Sequence, residues 1–336
     1  CLGLVDMKYY LGVLLCEAYV LRMKGRVLNN SDRIEMMQTL IRIIESGSLS
    51  AAAIQLRTTQ ATVSRRLKSL EQLLNTKLLL RTTHAMKLTD DGERCYRHAR
   101  LLITAWEALE DDLKGAEEEP VGILKVRAPH AFGQEQLITP LTQFLSQYSK
   151  ISVEWMLNDK SPDFISDNLD CAIHVGVAND PATVSTLLAE VPRIVVASPA
   201  LLAQVSSPVT TLADLALLPW VAISTFYRND VILSQVATRE TTHFSISPRL
   251  SSDSLYAVPQ AVLNGVGVAI ISRWLVEEDI RAGRLVNLVP DWQASPLPVY
   301  LVYPYANYYP ARLRKFLALM RDAMPDLVGM QRPASR

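Results

Sequence analysis

The stretch SGSLSAAAIQLRTTQATVSRRLKSLEQLL, residues 46–74, decides the fold of the front of this chain. Ser46-Gly47-Ser48 breaks one helix, and Leu49 to Leu56 forms a short Ala-rich one in which Ala52, Ala53 and Leu56 permit close packing. Arg57-Thr58 is a brief turn. From Thr59 to Leu74, Val63, Leu67, Leu70, Leu73 and Leu74 recur at helical spacing and mark an inner face. Thr58 or Thr59 offers the N-cap hydroxyl. Asn75, which tolerates the left-handed conformation, supplies the stop. Upstream, Asp32 to Glu45 carries Met37, Leu40, Ile41 and Ile44 on one face, with Ser31 as the expected cap. Three helices, the last two joined by a tight turn, form a helix-turn-helix.

Charge says what such a unit binds. Residues 57–87 hold seven Lys or Arg against the single acid Glu71, net +6. Lys and Arg neutralise phosphates and release counterions, the main source of affinity for a duplex. The second helix of the pair lies in a major groove with its first residues at base edges. Thr59, Gln60, Thr62, Ser64 and Arg65 crowd that start: Gln suits adenine, Arg suits guanine, and Thr meets an edge or a methyl group. Ser50, Arg66, Lys68, Arg81, His84 and Lys87 complete the candidate DNA-contact set. Lys77–Arg81, the loop through Met86 and the return Lys87–Thr89 form a small hairpin, or wing. A charge run alone is more often a solvated face; basic charge, turn chemistry and an adjacent wing together favour double-stranded DNA.

At 336 residues the chain suggests two domains, and its 49% hydrophobic and 20% charged content excludes a disordered or collagen-like protein. The overall net charge is zero but unevenly spread: +2 over residues 1–30, +4 over 31–90 and −6 over 91–336. Cys1, Cys16, Cys95 and Cys171 show no metal-ligand spacing and read as reduced thiols, Cys171 as an inert core thiol. Residues 1–30 are expected to be an appended segment of unassigned role. Its apolar run Tyr9–Leu21 contains Glu17 and is too short for a membrane span. The run also lacks the basic start of a signal peptide. Asp90 opens a long helix to about Lys114, whose Ala99, Leu102, Ile103, Trp106, Leu109 and Leu113 form a stripe. Such a stripe packs on its own domain or on a second copy; nothing nearby is long enough to cover it, which favours the pairing. Gly115 to Pro120 is the hinge, so 91–120 is read as dimerisation helix and hinge.

From Val121 short apolar runs alternate with helical ones. Strands are expected at Ile123–Ala128, Ile151–Leu157, Leu169–Val175, Arg193–Ala197, Leu218–Ile223, Val266–Ile271 and Val299–Val302. Helices are expected at Leu137–Tyr148, Leu255–Asn264, Trp274–Ala282 and Ala311–Ala323. The alternation predicts an α/β domain over 121–326 with mainly parallel sheets and two lobes around a crevice. Lobe I is read as 121–190 with 296–326, and lobe II as 191–295.

Ser46–Ala53, Gln60–Glu71 and Leu88-Thr89-Asp90-Asp91-Gly92 closely resemble the winged helix-turn-helix of LysR-type transcriptional regulators. Asn75 stands for a common Gly there and Leu79 for a common Phe. In the back half, Leu169–Gly176 resembles the family's Asp-x-Ala-Ile-Arg-x-Gly strand, with His174 in place of the Arg, and Gly265–Ile271 its Gly-x-Gly-Ile-Ala entry. Val289–Trp292 and Leu297–Tyr300 are similar to the CrgA-like branch. The resemblance spans about residues 31–325. It implies a cytoplasmic homo-oligomer, dimer or tetramer, built through the linker helix. It also implies a periplasmic-binding-protein-like C-terminal domain that answers to a small molecule, promoter DNA as partner, and RNA polymerase as a further one.

The effector is expected between the lobes. Candidates are His130, Ala131 and Phe132 after the first strand, then Gly176, Val177, Thr225, Phe226, Ser252, Asp253, Gly265 and Gly267. Free amides at the helix start after Pro129 favour an anion. Ala131 stands where the family often has a hydroxyl, which leaves open an effector-independent DNA-binding repressor. An enzyme is the third reading. It lacks a nucleophile elbow, a P-loop, a dinucleotide fingerprint and a zincin motif, so no catalytic residue, metal or cofactor is expected.

Overall fold

The computed structural model describes residues 30–81, 86–114, 119–164, 166–178, 180–205, 208–209 and 211–333. The appended segment up to residue 29, with Cys1 and Cys16, lies outside them, as does His84. The chain divides into two compact units, one ending at Leu113 and one beginning at Lys114.

In the first unit α1 (Asn30–Ser46), α2 (Leu49–Gln55) and α3 (Gln60–Leu74) precede a hairpin of β1 (Leu79–Arg81) and β2 (Met86–Leu88), and α4 (Asp90–Lys114) follows. Ser31 falls inside α1 rather than before it, because the helix starts one residue earlier. Ser48 caps α2 through the Ala51 N–H, and Thr59 caps α3 through the Thr62 N–H. Asn75 closes α3 at φ 53°, in the left-handed region. Leu40, Ile43, Ala52, Val63, Leu67, Leu70 and Leu78 meet in one buried cluster. Val63, Leu67 and Leu70 of the stripe read from α3 are thus its inner face, whereas Leu73 is half-buried and Leu74, at the last turn, is exposed.

The second unit opens with β3 (Gly122–Ala128), α5 (His130–Glu135), α6 (Ile138–Gln147), β4 (Ile151–Leu157), β5 (Cys171–Val175) and β6 (Thr183–Ala197). Then come α7 (Pro199–Leu202), α8 (Leu212–Ala216), β7 (Trp220–Ile223), β8 (Asp230–Gln235), β9 (Thr241–Ser245), β10 (Pro248–Ser252) and α9 (Ala257–Leu263). The unit closes with β11 (Ala269–Ser272), α10 (Arg273–Arg281), β12 (Val286–Leu288), β13 (Trp292–Pro304) and α11 (Ala311–Ala323).

The sheets are mixed, not mainly parallel. Strand β3 runs parallel to β4 and β5, and β7 to β10. The long strands β6 and β13 pair antiparallel along most of their length, and β11, β12 and β8 join them antiparallel. The physical reason is the return path: a strand that comes back beside its predecessor needs no crossover helix. Strands β6 and β13 tie the lobes together. Their register shifts between Ala294 and Leu297, next to Pro192, where the pair leaves one core for the other. Leu124, Val126, Phe144, Leu301 and Phe316 fill lobe I. In lobe II, Val195 faces a core with Trp220 and Leu233, while Ile194 and Val196 face a second with Val221, Val258 and Ile271. Both sheet faces there are covered. Cys171 is buried in lobe I, and burial pushes its thiol well above the usual range, as befits a core thiol.

Candidate nucleic-acid interface and effector cleft

The turn between α2 and α3 is built by backbone bonds: the Thr58 N–H donates to Ala53 O at 2.9 Å and Arg57 takes φ 49°. Helix α3 then starts from a fully made cap. The Thr62 N–H donates to Thr59 Oγ1 at 3.2 Å, and the two hydroxyls lie 3.0 Å apart. With Val63, Leu67 and Leu70 buried, Gln60, Arg65 and Lys68 are exposed on the opposite side, and Thr62 and Ser64 are half-buried. Thr59 on the turn, Ser50 on α2 and Lys87 on the wing are exposed. Arg66 departs from this pattern: its guanidinium is held by the Glu35 carboxylate of α1, an interhelix tie. Arg81 sits in β1; its side chain lies outside the described residues.

The wing is fixed from below. Glu71 accepts from the Leu78 N–H at 3.0 Å and pairs with Lys77 Nζ at 2.7 Å. The Thr89 hydroxyl donates to Lys77 O at 2.6 Å and accepts from the Gly92 N–H at 2.9 Å. A Cβ at residue 92 would stand 2.0 Å from Leu78 O, so the backbone contact there admits only glycine. These bonds explain the Leu-Thr-Asp-Asp-Gly run at 88–92.

The stripe on α4 is divided. Ala99 and Ile103 are 2% and 8% exposed and pack with Tyr96 against Ile41 of α1. They belong to the core of their own unit, because α1 lies on that part of the helix. Leu102, Trp106, Leu109 and Leu113 remain exposed at steps of four, three and four. That spacing is a single apolar seam.

In the second unit the anion-favouring helix start is already filled. The His130 N–H at the head of α5 donates to Asp159 Oδ1 at 2.9 Å. The His130 side chain is exposed, whereas Ala131 and Phe132 are buried in the core of lobe I, Phe132 6.0 Å from the Trp274 ring. Thr225 and Phe226 follow β7, and Ser252 ends β10, its carbonyl accepting from the Ser224 N–H at 2.9 Å. These three positions and the exposed Asp253 gather at the carboxyl ends of a parallel pair, where α/β sheets place ligands. Gly176 is half-buried at φ 105° and Val177 is exposed, its carbonyl 3.0 Å from His174 Nε2. Gly265 turns the chain after α9 at φ 75°. Gly267 is buried, and a Cβ there would lie 2.5 Å from Pro219 O, so it serves close packing.

Four residues the sequence reading passed over shape this cleft. The Tyr256 hydroxyl of lobe II donates to Gln134 Oε1 on α5 at 3.2 Å and so bridges the lobes. Burial, ahead of the neighbouring Glu135 carboxylate, pushes its pKa up to about 12, so it stays a donor. Arg193 of β6 and Ser272 of β11 are antiparallel register partners, and Trp274 follows in α10. The one signal for Arg193 was a lone charge inside the apolar run Val191–Val196. Among the described residues no group of three or more His, Cys, Asp or Glu could hold a metal ion, and no helix is long and apolar enough to cross a membrane.

Residues 34–93 match the family described as "Bacterial regulatory helix-turn-helix protein, lysR family", and residues 117–325 match "LysR substrate binding domain". The chain belongs to the LysR family of transcriptional regulators. It is 30% identical over 293 residues to the HTH-type transcriptional regulator PtxR of Pseudomonas aeruginosa, covering 87% of this chain and 93% of that one. It is 30% identical over 308 residues to the HTH-type transcriptional activator TtdR of Escherichia coli (strain K12), covering 87% and 94%. The structure of CrgA, a LysR-type regulator from Neisseria meningitidis, superimposes with a TM-score of 0.52 at 28% identity, covering 86% and 97%. This LysR-type regulator therefore joins a DNA-binding helix-turn-helix to an effector-binding domain, and its relatives are regulators, not enzymes.

Proposed function

We propose that this LysR-type regulator reads promoter DNA with the exposed face of α3, Gln60 and Arg65 at base edges and Lys68, Lys87 and Ser50 on phosphates. The observation that carries the reading is the division of α3 into a filled inner face and a polar, cationic outer one. Arg66 supports the reading indirectly, by tying α3 to Glu35. Two protomers pair through Leu102, Trp106, Leu109 and Leu113, and the pair presents two reading helices to a partly palindromic site.

A small molecule binds between lobe I (121–190 and 296–326) and lobe II (191–295), near Thr225, Phe226, Ser252 and Gly176. It favours one closure of the lobes by binding that state more tightly, and thereby changes the spacing of the paired reading helices. The protein acts in the cytoplasm, with RNA polymerase as the downstream partner. A second reading, an effector-independent repressor, draws on Asp159, whose carboxylate already occupies the head of α5.

Gel-shift titration at several salt concentrations tests the DNA reading. The expected result is preference for the promoter over random DNA, with affinity falling steeply as salt rises. Equal binding to both overturns it. Thermal shift with small acids and aromatics separates the two regulators, since a bound effector raises the melting temperature by mass action.

A further inference from the structure

The bonds at the foot of the wing converge on two residues. The Glu71 carboxylate accepts from the Leu78 N–H at 3.0 Å, the Thr89 N–H donates to Leu78 O at 3.0 Å, and the Thr89 hydroxyl donates to Lys77 O at 2.6 Å. They hold the start of α4 at one point, and one point does not fix a direction. On one side the direction of α4 is set by packing, with Tyr96, Ala99 and Ile103 against Ile41 of α1. On the side facing the end of α3 the packing is incomplete. An open groove of about 670 Å³ lies there, with Leu70, Leu73 and Leu74 of α3 and Cys95, His98 and Leu102 of α4 among its walls.

One side-chain bond spans that groove from helix to helix. The Thr76 hydroxyl donates to Asp91 Oδ2 at 2.6 Å, and both residues line the groove. Thr76 is carried on the end of α3, because its N–H donates to Glu71 O at 3.1 Å just after the left-handed stop at Asn75. Asp91 stands in the first turn of α4, where the helix dipole favours a carboxylate, and Arg94 pairs with it from the next turn. The Thr76 hydroxyl, ahead of Arg94, holds the Asp91 carboxyl below its usual range, so the acceptor is an anion at neutral pH. A hydroxyl bonded to a carboxylate makes a short, strong bond. Its leverage is large. Gln60 stands about 21 Å from Leu74 along α3, so a tilt of about 10° between α3 and α4 moves it by about 4 Å. A base-pair step along a duplex is about 3.4 Å.

We propose that the Thr76–Asp91 bond sets the angle between the reading helix α3 and the pairing helix α4, and with it the half-site spacing that a pair of protomers selects. Thr76 and Asp91 are positioning residues that act through the two helices. Glu71 differs from them: it joins α3 to the wing within one reading head and leaves the angle to α4 free. The inference rests on reading α3 as the DNA contact and α4 as the seam between protomers.

The test uses the full chain and a duplex selected from random DNA by the wild-type protein. That duplex is remade with its spacer one and two base pairs longer and shorter, beside a duplex holding a single half-site, and gel shifts give the affinity for each. Wild type prefers the selected spacing. Thr76→Val, which keeps the shape and removes the donor, cuts that preference about fivefold or more, the loss of a hydrogen bond to a charged group. Affinity for the single half-site and the preference at each base stay as in wild type. Thr76→Ser restores the donor and the preference, and Asp91→Asn, which keeps an acceptor, loses less than Asp91→Ala. Thr76→Val combined with Asp91→Ala does no more than either alone, because both remove one bond. Unchanged spacing preference in Thr76→Val and Asp91→Ala overturns the proposal and leaves the paired DNA reading standing. An equal loss on the single half-site and the paired site also overturns it, since a bond that only supports the fold acts on both. A wild type that binds every spacing alike overturns the proposal together with the paired reading beneath it.

Discussion

Glu71 Oε1 accepts the Leu78 N–H at 3.0 Å, so the reading helix and the wing move as one piece. Burial pushes the Glu71 carboxyl up, but the Lys77 ammonium and the Leu78 and Leu79 N–H groups outweigh it, and its pKa stands below the usual 4.5. Replacing Glu71 with Ala leaves the buried Leu78 N–H without this acceptor and costs about 1–3 kcal/mol of stability, measured by urea unfolding. A carboxylate with a lowered folded pKa stabilises fully above its unfolded value, and the gain is lost as pH falls through the folded one. The gap between wild type and Glu71→Gln therefore narrows below about pH 4.5.

Arg65, Lys68 and Arg66 lie within four positions of one another but respond differently to substitution. Arg65→Ala lowers affinity by about 1–3 kcal/mol and relaxes preference at a single base position. Lys68→Ala weakens all sequences alike and lowers the salt slope by about 0.9. Arg66→Ala leaves the base preference intact and lowers the melting temperature, because its partner is Glu35. Gel shifts on a panel of single-base variants, with thermal melts alongside, separate the three.

The divided stripe on α4 sets up an opposite pair of outcomes. Trp106→Glu with Leu109→Glu places charge on the exposed seam; the protein elutes as a folded monomer in size-exclusion chromatography with light scattering. Ile103→Glu instead buries a charge beside Ile41 and Tyr96, and the first unit loses cooperative unfolding in circular dichroism. A monomer from Ile103→Glu with an intact melt would mean that residue belongs to the partner face.

Gly92→Ala and Gly267→Ala test two backbone approaches. Their added Cβ atoms meet Leu78 O at 2.0 Å and Pro219 O at 2.5 Å, neither of which can yield without moving a strand. Each substitution lowers the melting temperature. Gly92→Ala also weakens DNA binding, while Gly267→Ala leaves the isolated promoter affinity of the folded fraction unchanged.

The front of the chain was legible because its chemistry is local. Thr59 caps through a residue three positions on, Asn75 tolerates its own left-handed φ, and the stripe Val63, Leu67, Leu70 is read within one helix. The rest depended on partners far along the chain. The first half of β6, Thr183–Pro192, and the strands β8, β9 and β12 take their meaning from antiparallel neighbours, β10 from its parallel partner β7, and several are only three to six residues long. Ile103 looks like Leu102 until α1 covers it. Arg193 is only the first residue of a strand in the sequence, and the pairing of β6 with β11 is what makes Ser272 its register partner.

In lobe I, strand β13 lies between β6 and β5, although it is the last strand of the chain to be made. A nascent polypeptide thus leaves the ribosome with its first sheet split, two raw edges waiting while the whole intervening lobe emerges. That interval is when the polypeptide is most open to misassembly, and truncation anywhere before Pro304 makes the interval permanent.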